Sequence, residues 1–138
     1  MNPFTLVALK QRVGPEYADA QALPILIYLD AVCRGQGFIA AENALVRIVV
    51  IAQVLGSKSG NRALYDVACA GGKAVFSAAG RGRDLLAFTT GEYKAVRALV
   101  RAYLRILPML EVSMFVFAAN QAESIITGAH EKQQLATA

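Results

Sequence analysis

The sequence predicts an all-α protein, a single-domain bundle of four to five helices with one long central helix in its C-terminal half. Three observations carry this. Apolar residues recur at three- and four-residue spacing in one segment after another, the period of a helix face. Almost no stretch alternates apolar and polar residues as a half-buried strand does. Hydrophobic residues make up 56% of the 138 residues and charged ones 17%, against a usual charged share of about a quarter. That is ample apolar surface to order one domain, in a chain too short for two.

Taken in order, Asn2-Pro3 opens a short first segment from Phe4 to about Gln11, ended by Gly14-Pro15. A second runs from about Glu16 to Arg34 and stops at Gly35 and Gly37, with Pro24 as either a kink or the start. Its run Leu26–Leu29 would suit a short strand, but no partner strand occurs elsewhere, so helix is preferred. The third, Phe38 to Leu55, places Ala41, Leu45, Ile48, Val49, Ala52 and Leu55 at helical spacing and is expected to stop at Gly56. Asn61 caps the fourth, which reaches about Ala79 and is weakened in its middle by Gly71-Gly72. A basic turn, Gly80-Arg81-Gly82-Arg83, and a short piece around Leu85 to Phe88 follow. Thr90 is read as the cap of the fifth segment, with Glu92 in its first turn, where the helix dipole favours an acid. This helix is expected to continue to about Ser124. The domain is then 1–138, with a frayed tail from about residue 129.

On the fifth helix, Tyr93, Val96, Leu99, Val100, Tyr103, Leu104, Ile106, Leu107 and Leu110 share an arc of roughly 160°. Lys94, Arg97, Arg101 and Arg105 form one stripe outside that arc. Past Pro108 the apolar character wraps all round, through Met109, Val112, Phe115, Val116 and Phe117. A helix apolar on every side is buried on every side. These five residues are therefore candidates for the centre of the bundle or for self-association as a homodimer.

The mean hydropathy of +0.42 raises the question of a membrane. A span needs roughly 20 apolar residues without central charge. Ala98 to Ala119 carries Arg101, Arg105 and Glu111 and is broken by Pro108, while Leu45 to Leu55 is short and contains Arg47. No signal-peptide order of charge before an apolar run occurs at the N-terminus. The reading is a cytoplasmic protein without a membrane span, whose Cys33 and Cys69 are free, partly buried thiols.

Little in the chain suggests catalysis. His130 is the single histidine and falls in the expected tail, and Cys33, Cys69 and His130 have no metal-ligand spacing. The acids are scattered singly; Asp30 and Glu111, in apolar surroundings, are read as partners for arginines such as Arg34 or Arg47. Gly35-Gln36-Gly37-Phe38-Ile39-Ala40 matches a dinucleotide-binding pattern, but a helix leads into it where that pattern needs a strand. Gly71-Gly72-Lys73 has Val67 and Ala74 where a phosphate loop needs a glycine and a hydroxyl. Ile51 to Gly56 followed by Asn61 to Ala68 could form a helix-turn-helix. Ser57 replaces the usual aliphatic and Gly60 lengthens the turn, so an ordinary helix–helix corner is preferred. No enzyme, cofactor or metal is expected.

Charge is the strongest functional signal. Residues 1–57 balance at zero, residues 58–105 carry nine basic and three acidic residues, and the whole chain has a net charge of +4. Lys58, Arg62, Arg81, Arg83, Lys94, Arg97, Arg101 and Arg105 form the candidate basic binding face. Arginine suits carboxylate or phosphate recognition because its guanidinium donates in a planar fork. The expected function is that of a small regulatory or adaptor protein, which binds an acidic protein surface and associates with itself. The alternative is a DNA-binding regulator using the same basic face.

Overall fold

The computed structural model describes residues 10–82 and 84–137. Pro15 loses no helical hydrogen bond in a first turn, and helix α1, Pro15–Cys33, begins there. It continues unbroken through Pro24, so that proline is neither its start nor its end. Of the expected first segment, residues 4–9 lie outside the described residues.

Helix α2, Ile39–Ser59, runs through Gly56 to Gly60, whose φ of 71° ends it. Gly56 does not terminate the helix because its role is a contact: a Cβ there would lie 2.7 Å from the backbone nitrogen of Tyr65. Helix α3, Arg62–Ala79, is capped by Asn61, whose Oδ1 accepts from the Leu64 amide at 3.1 Å. The close approaches of Gly56 to Tyr65 and of Gly72 to Val49 share one antiparallel register about the Gly60-Asn61 turn. The α2–α3 unit is thus a helical hairpin along its length. The helix-turn-helix reading fails here, because that motif needs helices that diverge at a wide angle.

Helix α4, Thr90–Ile106, starts with a capping box, and Thr89, one residue earlier than expected, is the cap. The single helix expected over Thr90 to Ser124 is two. A 3₁₀ turn, Leu107–Met109, separates α4 from α5, Val112–Thr137. Pro108 has no N–H to give and its ring crowds the preceding turn. Leu110 is extended, and the N-terminal segment accommodates the break: Val13 donates to the Leu110 carbonyl, Gly14 to Pro108, and Val112 donates to Gln11.

The helix at the centre is α2, which touches α1, α3, α4 and α5. It buries Ile48 through Ala52 consecutively, the all-round burial that the sequence suggested for residues 109–117. Helix α5 rests chiefly on α2, through buried Ala118 and Ala122. With one packed face, α5 leaves Val116 and Phe117 exposed, and Met109, in the 3₁₀ turn before it, is exposed as well. Helix α3 lies between α2 and α4 and needs its two mid-helix glycines to do so. A Cβ on Gly71 would meet Leu99 Cδ2 at 2.7 Å, and one on Gly72 would meet Val49 Cγ1 at 2.8 Å. Apart from Tyr103 with its hydroxyl, no polar or charged side chain is buried among the described residues.

Helix α2 has the length and composition to cross a membrane, and half of its most apolar window is buried inside the bundle.

Candidate binding face

The local sequence of α4 decides where its charges go. Val96, Leu99, Val100 and Tyr103 recur at helical spacing and are buried. At 100° per residue, Lys94, Arg97, Arg101 and Arg105 then fall within about 80° on the opposite side. All four are exposed. Burial holds the Tyr103 hydroxyl protonated far into the alkaline range, with a pKa pushed up to about 12, chiefly by desolvation.

These basic residues differ from the other described arginines. Arg34 pairs with Asp30 at 3.1 Å, Arg62 with Asp66 at 3.8 Å, and Arg47 with Glu123. Arg12 donates to the Met109 carbonyl. Arg81 reaches Glu92 with both terminal nitrogens, at 2.8 and 2.5 Å, and also donates to the Ala87 carbonyl. Arg97, Arg101 and Arg105 have no carboxylate partner among the described residues.

The eight candidate residues therefore do not act as one face. Arg81 ties the loop before α4 to its first turn. That contact, with the Thr89 amide and hydroxyl, holds the Glu92 carboxyl down at about 2. The Lys58 ammonium stands 4.9 Å from the centre of the Phe117 ring, a cation–π contact between α2 and α5. Arg83 lies outside the described residues. Arg62, the first residue of α3, instead lines the α2–α3 turn with Gly56, Ser57, Gly60 and Tyr65. What remains together is the α4 stripe, beside a groove.

That groove, of about 470 Å³, runs between the start of α3 and the end of α4. Its floor is apolar and mostly small: Ala63, Val67, Ala98, Ala102 and Ile106, with Arg101 and Arg105 the charged residues of its lining. Sequence reasoning found the arginines and missed the groove. Its signal was the edge of alanines beside the stripe, which lets another backbone come close.

The expected self-association residues divide as well. Phe115 is half-buried, its ring meeting that of Tyr17 edge-on at 5.9 Å, and Val112 is half-buried too. Met109, Val116 and Phe117 face outward. A second apolar surface escaped the sequence reading: Leu23, Leu26 and Ile27 of α1 are all exposed. Cys33 is exposed and Cys69 half-buried, and the two are unlinked. No group of histidine, cysteine and acidic side chains among the described residues could hold a metal ion. The Gly35–Ala40 pattern is a helix–helix connection, with Gly37 exchanging hydrogen bonds of 3.1 and 2.7 Å with Leu86. No protein-family model, curated protein or solved structure matches the chain.

Proposed function

We propose that this chain is a small cytoplasmic binding protein, without catalytic activity of its own, whose basic face on α4 docks an acidic surface of a protein partner. One observation carries the reading. Each described arginine outside α4 is engaged within the chain, whereas Arg97, Arg101 and Arg105 stand in an exposed row with no carboxylate beside them. Like charges one helical turn apart repel. A row of them costs the free protein stability that an acidic partner would return. Arginine rather than lysine at three of the four positions favours planar carboxylate recognition. Self-association through exposed apolar residues is the second half of the proposal, and α2 is read as the core helix of a soluble bundle.

Fluorescence anisotropy tests this with two labelled probes, an amphipathic Glu-rich peptide and an unrelated DNA duplex. The peptide should bind the wild type, and a variant with Arg97, Arg101 and Arg105 changed to Gln should fold normally and lose about tenfold or more in affinity. If only the duplex binds, with a salt slope that the variant makes shallower, the DNA-binding alternative replaces this reading.

A further inference from the structure

The outer face of α1 is the counterpart of the α4 face in both charge and shape. Leu23, Leu26 and Ile27 are 65%, 48% and 56% exposed, three aliphatic side chains at the spacing of one helix face turned away from the core. Exposed acids bracket them on the same side: Glu16 and Asp19 before, Asp30 after. The α3–α4 groove offers an apolar floor, mostly of small residues, beside Arg101 and Arg105. Asp19 and Asp30 are eleven residues apart, as are Lys94 and Arg105, so both charged spans are about 16 Å long. Asp30 and Arg34 are paired, but as an exposed pair one turn apart, which is worth little and can be exchanged.

The geometry points to a second copy of this chain as the occupant of the groove: α1 of one molecule lies on the α3–α4 groove of the next. Leu23 and Ile27 sit over Ala63, Ala98 and Ala102, and the acids of α1 face the α4 arginines. This rests on the reading of α4 as a docking face and adds which surface it takes. Because the two surfaces differ, the contact is head-to-tail, and it builds open chains or rings rather than a two-fold dimer. The small groove residues admit a helix closely, and the unlike charges set its register.

Two variants separate the alternatives. Leu23→Ser with Ile27→Ser removes the α1 face and keeps the groove; Arg101→Gln with Arg105→Gln weakens the groove and keeps α1. All four side chains lie at the surface, and circular dichroism verifies that both variants fold. By sedimentation velocity, the wild type should form species that grow with concentration and dissolve as salt rises. Each variant alone should be monomeric, and an equal mixture should give a one-to-one dimer that grows no further. A wild type that stays monomeric at low salt overturns the proposal. So does an arginine variant that associates like the wild type, which would mean an interface between like faces. A chain that binds the Glu-rich peptide yet never self-associates sinks this inference and leaves the docking reading standing; loss of both sinks both.

Discussion

Replacing Gly56 by Ala tests the α2–α3 hairpin, on which the position of α4 and its charges depends. In a helix interior, Ala is favoured over Gly by about 1 kcal/mol, so propensity alone predicts a more stable protein. The structure predicts the opposite. The new Cβ would lie 2.7 Å from the nitrogen, 2.9 Å from the Cα and 2.9 Å from the Cβ of Tyr65. Two of these atoms are backbone in the first turn of α3, held by its cap, and cannot rotate away as a side-chain tip could. The helices must separate locally. Overpacking of this kind costs about 1–3 kcal/mol, and rigid neighbours place it toward the upper end. After the propensity gain, a net loss of about 1–2 kcal/mol remains, which lowers Tm by roughly 3–10 °C. Gly91→Ala is the control: it sits in the first turn of α4 with nothing within 4 Å of its Cβ, so it should gain about 0.4–1 kcal/mol. Thermal melts followed by circular dichroism measure both. A Gly56→Ala protein that melts at or above the wild type would refute the close antiparallel register.

Three further outcomes follow from the same packing. Glu92 has a carboxyl pKa held at about 2 by Arg81 and Thr89, so its stabilising contribution is full above the ordinary carboxylate range. It should be lost as pH falls from about 4.5 toward 2, and the urea midpoint of Glu92→Gln should vary less over that window than that of the wild type. Phe115→Glu should cost about 2–3 kcal/mol, because it puts a charge beside the Tyr17 ring, while Phe117→Glu should fall within about 0.5 kcal/mol of wild type, since Lys58 is at hand to face the new carboxylate; urea denaturation distinguishes them. Under native conditions a thiol reagent followed by mass spectrometry should modify exposed Cys33 well before half-buried Cys69, and equal rates would contradict the packing of α3 on α2.

The parts of the fold that were legible are those written in local chemistry. Helical period located α1 to α3 and the start of α4, Asn61 marked the cap of α3, and the stripe of α4 follows from spacing alone. What failed depended on tertiary context. Pro108 was visible as a breaker, but the run of apolar residues after it looked like a core helix. Only the packing shows that α5 leans chiefly on one helix, α2, whereas α2 itself has four helical neighbours. Gly56, Gly71 and Gly72 looked like stops or weak points, whereas each sits where another helix comes close. Nothing in a single chain's periodicity distinguishes a glycine that ends a helix from one that admits a neighbour. At the site, charge pattern picked out eight basic residues, yet which of them already have partners depends on distances that spacing does not encode. Arg81 and Glu92 are eleven residues apart and meet only because the intervening loop folds back.

The exposed arginine row of α4, with the groove beside it, is the surface proposed to meet an acidic partner. Chemical-shift mapping addresses this residue by residue: isotope-labelled protein titrated with the Glu-rich amphipathic peptide. Amide signals of residues 97–106 on α4 and 61–67 on α3 should move together and saturate, with those of α2 unmoved, and the arginine-to-glutamine variant should show none of these shifts. Shifts confined to α1 or α5, or shifts that persist in the variant, would place the binding surface elsewhere and contradict the claim.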